Sequence, residues 1–385
     1  MPRRAVGIFV FCLWAAGLAG QDLESLQVHG FVTQGFLFSS KNNYMTMKSS
    51  SGSLQWTEGA VSLNDSFSEK LRVGIQLHMY HMGEIGGPNV LVDWVSGDYK
   101  INDQLGVRAG KVKVPLGLFN DSQDVDSLFL WTMLPQANYP DDNRDFDLAI
   151  LGGEVYGWVS LGRGGRLHGR GYVGENRLDA NGGYMRNLAE YGFTFPDPPS
   201  GKAFGGDMRW ETPWKGLTFG ASVESQGLDG GGPEGTLHVT PALITAYYAE
   251  WTKGKWHIAG EYWRVPFILN LQAGIESFTV PIDQRSWYPM VSYQLTKRLQ
   301  VGTYYSHYLN KSFDVSQNKS FDVSQPENYS KDWALSGRYD FNSNFYAKVE
   351  THFLQGTGIG YYDASNPNGL KPKSVLLAAR VGFTF

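Results

Sequence analysis

The sequence contains almost no cysteine, since Cys12 is the only one among 385 residues. Cys12 lies inside an apolar stretch, residues 5–19, which follows two arginines near the start of the chain. A basic start, a short apolar run and small residues at its end are typical of a secretory signal peptide. We therefore predict that residues 1–20 are a signal peptide and that residues 21–385 form the mature protein. That mature chain has no thiol, which excludes disulfides, cysteine nucleophiles and cysteine-ligated metals.

Long apolar runs and an excess of positive charge are also lacking. No other stretch approaches the roughly 20 apolar residues that a membrane helix needs. Of the 33 basic residues two belong to the signal, and the remaining 31 face 37 acidic residues, which argues against a nucleic-acid partner. The chain is rich in glycine and aromatic residues, and its mean hydropathy is −0.30 although 42% of its residues are hydrophobic. This balance favours a β-protein in which apolar residues alternate with polar ones.

Several segments show that alternation directly. The odd-numbered residues from Leu71 to Met79 are all apolar, whereas Arg72, Gln76 and His78 lie between them. The same alternation occurs in residues 217–226, 333–341 and 345–352. A period of two with one apolar and one polar face is the pattern of a β-strand. A soluble β-sandwich would show it as well, so the alternation alone does not place the protein in a membrane.

The connections between the predicted strands alternate strictly in length. Seven short polar turns are predicted at residues 68–70, 102–104, 162–165, 214–216, 253–255, 296–298 and 342–344. Eight longer loops are predicted at residues 41–54, 83–89, 118–146, 177–202, 229–240, 269–285, 310–330 and 356–373. Transmembrane barrels of outer membranes have this layout, with short periplasmic turns and longer extracellular loops. We therefore predict an all-β fold, a 16-stranded antiparallel transmembrane β-barrel formed by residues 21–385 as a single domain.

Aromatic residues near the predicted strand ends have an explanation in such a barrel. Trp56, Trp94 and Trp333 are among them. Tryptophan and tyrosine form girdles at the two membrane interfaces of outer-membrane barrels. Their placement at strand ends favours girdles on the outer face over the alternative, a track of aromatic side chains on which carbohydrates stack.

The chain ends on an aromatic residue at the end of an alternating strand. Apolar residues occupy every second position up to the terminus: Val375, Leu377, Ala379, Val381, Phe383 and Phe385. This ending resembles the carboxy-terminal assembly signal of Gram-negative outer-membrane barrels. The resemblance implies that Phe383 and Phe385 form the signal read by the barrel assembly machinery. It also implies an outer-membrane location, in contact with outer-membrane lipid and lipopolysaccharide.

A narrower resemblance is carried by residues 108–117, Arg-Ala-Gly-Lys-Val-Lys-Val-Pro-Leu-Gly. This segment is similar to strand five of the phosphate-selective porin O/P group and related 16-stranded channels, and residues 28–36 resemble the first strand of such porins. The resemblance implies a non-enzymatic porin that lets small hydrophilic solutes or ions diffuse passively and that assembles as a homotrimer. A phosphate preference is not implied, because no dense ladder of arginines follows successive strands.

The polar faces of the strands are expected to line the interior of the barrel. Basic residues on these faces are Arg72, Arg108, Arg170, Arg338 and Arg380. At Lys111 and Lys113 the alternation slips, which a β-bulge near Gly110 would explain. Which of the two lysines faces the interior is left open by the sequence. Sixteen tilted strands leave an aqueous channel, and a lining with charges of both signs favours polar solutes.

The longest connection, residues 118–146, is expected to fold inward and narrow the channel. A loop of this length without regular structure usually has a function, and its apolar middle, residues 127–134, should pack against the wall. Asp121, Asp124 and Asp126 would then face a basic wall that includes Arg72, Arg108 and Arg380, with a transverse field across the constriction. The same loop carries one basic residue, Arg144. The alternative is an external acidic loop that binds divalent cations together with lipopolysaccharide.

Other functions fit the sequence less well. An uptake channel for hydrophobic compounds would need an apolar lumen and an amino-terminal plug, and an adhesin would need a filled lumen or a large external domain. Uptake of one substrate class, such as anions, stays open as a specialised form of channel. No histidine lies in a context that suggests nucleophilic catalysis, and the three aspartates at 121–126 lack the glycine and glutamate of an EF-hand loop. We therefore predict no catalytic residue, no metal and no cofactor.

Overall fold

The computed structural model describes residues 25–233, 235–315 and 317–385, and the predicted signal peptide lies outside these ranges. Eighteen of the twenty strands in these ranges belong to one antiparallel sheet that closes on itself. Its strands are β1 (Gln27–Ser39), β2 (Ser53–Ser66), β3 (Leu71–Met82), β4 (Ile85–Lys100), β5 (Leu105–Lys113), β6 (Ala149–Ser160), β7 (Arg166–Arg177), β8 (Ser200–Glu211), β9 (Leu217–Gln226), β10 (Leu228–Gly232), β11 (Gly235–Pro241), β12 (Ile244–Lys253), β13 (Trp256–Ala273), β14 (Glu276–Gln294), β15 (Leu299–Asn310), β16 (Phe313–Asp314), β17 (Lys319–Ser320), β18 (Tyr329–Asp340), β19 (Phe345–Gly356) and β20 (Lys373–Thr384).

Sixteen of these strands form the wall of the barrel, which confirms the predicted fold. The wall runs through β1–β9, continues with β12–β15 and ends with β18–β20, while β10–β11 and β16–β17 are short hairpins in two of the loops. Strand β1 pairs with β2 on one side and with β20 on the other, from Phe31 opposite Thr384 to Ser39 opposite Leu376. This last pairing leaves the wall without an open edge.

The two faces of the wall differ as the alternation predicts. On β19 the outward residues Phe345, Val349 and Phe353 are 48–62% exposed, whereas Lys348 and Glu350, on the inner face, are 1–2% exposed. An apolar exterior around a polar interior is the arrangement that lipid requires, because hydrocarbon cannot solvate charged side chains.

All seven short turns lie where they were predicted, but three of the predicted long loops are mostly strand. Residues 229–240 belong to the hairpin β10–β11. Residues 83–89 and 269–285 are mostly strand, because β3 and β4 are separated by two residues and β13 and β14 by two residues. Gly83 and Gly274, with φ of +62° and +59°, occupy the left-handed region that such tight hairpin turns require.

The carboxy terminus closes the barrel against β1. The backbone N–H of Phe385 donates to the Gly30 carbonyl at 3.0 Å, and the Gly30 N–H donates to the Phe385 carbonyl at 3.1 Å. The Phe385 ring covers Gly30, where a Cβ would lie 2.5 Å from the ring. Phe383 stacks 6.0 Å from Phe385 and lies 4.7 Å from the ring of Phe345 on β19.

The remaining loops carry two short helices, α1 (Arg144–Asp147) and α2 (Gly183–Glu190). In the described ranges, no helix is long and apolar enough to cross a membrane.

Two of the tryptophans expected in the girdles lie inside the barrel instead. Trp56 is 1% exposed and lies beneath the guanidinium of Arg380, whose Cζ is 4.0 Å from the ring centroid. Trp94 lies 5.5 Å from the Nζ of Lys113. Trp333, in contrast, is 55% exposed on the outer face, as predicted. Proximity to a strand end does not reveal which face a residue occupies, because successive residues of a strand alternate between the outer and the inner face.

Candidate functional site: the charged interior of the barrel

The connection between β5 and β6, residues 114–148, lies against the inner face of the wall. Lys348 on β19 donates from Nζ to the carbonyl of Trp131 at 3.0 Å. The neighbouring inner residue, Glu350, accepts a hydrogen bond from the Met133 backbone N–H at 3.0 Å. Buried backbone groups need hydrogen-bond partners, and here the side chains of the wall supply them.

The start of the same segment is attached to a second place on the wall, four strands from β19, through Glu261 on β13. The carboxylate accepts hydrogen bonds from the Leu118 backbone N–H at 2.5 Å and from the hydroxyls of Tyr139 and Tyr288 at 2.5 and 2.7 Å. Three donors around one buried carboxylate offset the loss of its hydration. The segment is thus bound at β13 and at β19.

Asp126 forms the most heavily charged of these attachments. Its Oδ1 lies 2.6 Å from Nη1 of Arg380 and 2.9 Å from Nζ of Lys348, and the Tyr346 hydroxyl donates to its Oδ2 at 2.6 Å. Burial alone would raise the pKa of Asp126, but the charges of Lys348 and Arg380 outweigh burial and hold the pKa well below its usual range. The carboxylate is therefore ionised under all physiological conditions.

Arg380 continues this group into a network with two further acids. Its Nη1 lies 3.4 Å from Oε2 of Glu58, and Nε2 of His78 lies 3.2 Å from the other oxygen of that carboxylate. Arg144 binds Asp93 through two parallel contacts, Nη1 to Oδ1 at 3.1 Å and Nη2 to Oδ2 at 2.8 Å. Arg144 thus faces the wall, where a two-point pair with a carboxylate fixes its orientation.

Glu58 and Asp93 are functional candidates that sequence reasoning missed. Asp93 is 4% exposed because β4 contains a bulge: Trp94 pairs with Gln76 and Val92 with Leu77, so Asp93 is left over and turns inward. The position of Asp93 as the single acidic residue in an apolar run, residues 90–95, is a sequence signal that could have identified it as a candidate.

A second set of charges surrounds a cavity of about 600 Å³ at the short-turn end of the barrel, which we call the vestibule cavity. Predicted site residues that line it are Arg72, Arg108, Lys111, Lys113, Asp121 and Arg170. Arg108 binds Asp98 (Nε to Oδ2, 2.8 Å) and Glu154 (Nη1 to Oε2, 3.0 Å). Arg170 pairs with Glu154 and with Asp121 of the inner segment.

The two lysines of strand β5 have different contacts. Lys113 reaches the inner segment, with Nζ 2.6 Å from Oδ2 of Asp124, while Lys111 donates from Nζ to the carbonyl of Val92 at 2.8 Å. The bulge expected near Gly110 is wrong, since the pairing of β5 with β4 and with β6 continues through Gly110 without a shift.

Arg338, the remaining predicted residue, supports the backbone of the inner segment. Its Nη1 donates to the carbonyls of Ser127 and Phe129 at 2.5 and 3.0 Å, and its Nε donates to Asp340 at 2.9 Å. Apart from Lys111, which pairs with the exposed Val95 and Leu151, the predicted residues lie on the inner face of the wall or on the segment packed against it.

The contacts of the three aspartates differ from the expected transverse field. Of the three arginines expected to face them, Arg380 contacts Asp126, whereas Arg108 binds Asp98 and Glu154 of the wall. Asp121 and Asp124 instead contact Arg170 and Lys113. The three carboxylates consequently do not converge on one point. Within the described ranges, no group of three or more histidine, cysteine or acidic residues is arranged to hold a metal ion.

A pH dependence is expected from Asp141 of the inner segment. Burial raises the pKa of this carboxyl to about 7; the charge of Arg380 opposes the shift and that of Glu58 reinforces it. The unfolded chain releases this proton near pH 3.9. The folded state therefore binds the extra proton between about pH 4 and pH 7, and its stability should fall as the pH rises through that window.

The Asp141→Asn variant should remove this part of the pH dependence. Its thermal unfolding midpoint in detergent should fall less between pH 5 and pH 8 than that of the parent. Asp363→Asn, in another loop, provides the matched control. Equal pH slopes in the parent and in Asp141→Asn would show that the carboxyl titrates normally.

Comparisons with known proteins give the fold a class. No protein-family model matches the sequence, and no match is found among curated proteins. Three solved structures match 94% of this chain. A loop-deletion mutant of OmpT, an outer membrane protein of Vibrio cholerae, matches over 99% of its own length with a TM-score of 0.57 and 10% identity. The outer membrane channel DcaP of Acinetobacter baumannii (TM-score 0.55, 10% identity) and OmpF of Salmonella typhi in complex with daunomycin (TM-score 0.56, 13% identity) each match over 97% of their length. At these identities the likeness shows the fold alone.

The closed wall, its apolar outer face and these likenesses define a porin-like β-barrel of a Gram-negative outer membrane. The narrower resemblance to the phosphate-selective O/P group stays a prediction, carried by residues 108–117 alone.

Proposed function

We propose that the protein is an outer-membrane porin through which small hydrophilic solutes or ions diffuse passively. The observation that carries the proposal is the vestibule cavity, about 600 Å³ inside a closed barrel and lined by charges of both signs. Such a lining favours water and polar solutes over hydrophobic compounds, because charged side chains keep their hydration next to an aqueous path. The proposal assigns no catalytic residue and no cofactor.

We further propose that residues 118–146 form the constriction of this channel. The segment is bound to β13 through Glu261 and to β19 and β20 through Asp126, so it extends across part of the interior. Solutes would pass beside its acidic groups and the arginines and lysines that bind them. Charges act more strongly there than on an open surface, because the surrounding protein partly excludes water.

The proposed assembly is a homotrimer embedded in lipid and lipopolysaccharide and inserted by the barrel assembly machinery. OmpT of Vibrio cholerae, whose structure is similar to this chain with a TM-score of 0.52, is described in a trimer form. That likeness supports the proposal only at the level of the fold.

Conductance across a planar lipid bilayer tests the channel and its constriction together. The purified, folded protein should produce ohmic current steps, and deletion of residues 122–134 should raise the size of each step. Deletion of residues 318–325, one copy of a tandem octapeptide in an external loop, is the control and should leave the steps unchanged. Absence of steps from folded protein would contradict the channel, and unchanged steps after the 122–134 deletion would contradict the constriction.

A further inference from the structure

A second interior cavity, about 430 Å³ in volume, lies between the inner segment and the wall formed by β8 and β12–β15. Its volume is within the range of small-molecule sites. One side of this cavity is apolar and the other is polar, whereas charged side chains of both signs contribute much of the lining of the vestibule cavity. We call it the two-faced cavity.

The apolar side belongs to the inner segment. Phe119 and Phe129 lie edge to face with ring centroids 5.5 Å apart, and both line the two-faced cavity. Leu128 beside them is 65% exposed although it lies inside the barrel. An exposed leucine next to an aromatic pair is apolar surface that remains in contact with water, so covering it with an apolar ligand surface would be favourable.

The polar side belongs to the wall and mixes donors with acceptors. Arg209 donates from Nε to the Tyr248 hydroxyl at 3.2 Å, and Gln300 donates from Nε2 to Oγ of Ser292 at 3.1 Å. Glu250 lies 2.8 Å from Nε2 of His257. These contacts engage one nitrogen of Arg209 and the amide nitrogen of Gln300. The guanidinium end and the amide oxygen can therefore bond to a solute in the cavity.

We propose that the two-faced cavity binds a small neutral carbohydrate during its passage, an inference that rests on the proposed channel and names a solute class for it. A sugar ring has a C–H face that packs on Phe129 and Leu128, and hydroxyls at its edge that reach the wall. Each hydroxyl both donates and accepts, which suits a wall that offers donors from Arg209 and acceptors from Glu250 and Gln300. A flat aromatic solute would leave most of these polar groups without a partner.

Titration calorimetry with maltose tests the proposal on the folded barrel, in a polyoxyethylene detergent because maltoside detergents carry the same sugar. The parent should bind maltose with a saturable heat. Phe129→Ala should weaken binding about fivefold, since loss of one stacked ring face corresponds to roughly 1 kcal/mol of binding free energy. Phe353→Ala, which removes a ring from the lipid-facing surface, should bind maltose like the parent.

Leu128→Asn, at an exposed position, should also weaken maltose binding several-fold and serves if Phe129→Ala does not fold. No saturable heat from the parent, or equal binding by parent and Leu128→Asn, would overturn the proposal. Benzoate binding that depends on Phe129, without maltose binding, would assign the cavity to aromatic anions and would also overturn it. A barrel that conducts but binds no maltose refutes only the carbohydrate site, whereas one that binds maltose but never conducts refutes only the channel.

Discussion

Replacing Asp126 with Asn should shift the ion preference of the channel towards anions and loosen the inner segment. Asp126 contacts the two cations Lys348 and Arg380, all three side chains being at most 6% exposed. Removal of one partner from a buried ion pair leaves an uncompensated charge, which destabilises the folded state by about 3 kcal/mol or more. The reversal potential in a potassium chloride gradient should therefore move towards the anion-selective side, and the current should become noisier.

The Asp103→Asn variant makes the same change of charge in an exposed turn and is the matched control. It should leave the reversal potential unchanged, because water and salt screen a charge at that position. Combined replacement of Asp121, Asp124 and Asp126 should enlarge the shift, since each carboxylate binds different basic side chains. A triple variant with the parent's reversal potential at low salt would place the selectivity elsewhere in the barrel.

Deletion of Phe385 should block assembly of the barrel without changing the conductance of any molecules that do fold. The residue bonds through its backbone to Gly30, covers Gly30 with its ring and stacks on Phe383. These contacts lie at the seam between β20 and β1, where the wall must close to leave no open edge. The amount of folded protein in outer-membrane fractions, measured from its altered mobility on unheated gels, should fall severely.

Phe353→Ala removes an exposed ring from the outer face of β19 and is the control for lost aromatic surface. It should assemble at close to the parent's level, because it leaves the terminus and the seam intact. Normal membrane levels of the truncated protein would show that Phe385 is not required for assembly.

The strand faces could be predicted from the sequence because they depend only on local alternation. Successive side chains of a strand point to opposite faces, so apolar residues at odd positions of β3 place Arg72 and His78 inside. The same argument places Lys348 and Arg380 inside. It fails at Asp93, because a bulge appears only when β4 is aligned with its neighbour.

Turns and loops were predictable only in part. The seven short turns contain polar residues between clear alternations, and each was placed correctly. Residues 83–89 and 269–285 were assigned to loops, although apolar and polar residues alternate at 269–273 and at 278–283. Pairing of β3 with β4 and of β13 with β14 shows that both segments are mostly strand, and hydrogen bonds across each hairpin stabilise it.

The partners of the interior charges depend on tertiary structure. Asp126 and Arg380 are 254 residues apart in the chain, and the carboxylate of Glu261 is 143 residues from the Leu118 N–H that it binds. The alternation shows that Arg380 and Glu261 face inward, but it carries no information about what lies opposite them. Only closure of β20 against β1, and attachment of the inner segment to β13, bring these groups within hydrogen-bond distance. The sequence by itself thus determined which side chains enter the interior, and the closed barrel decided which of them meet.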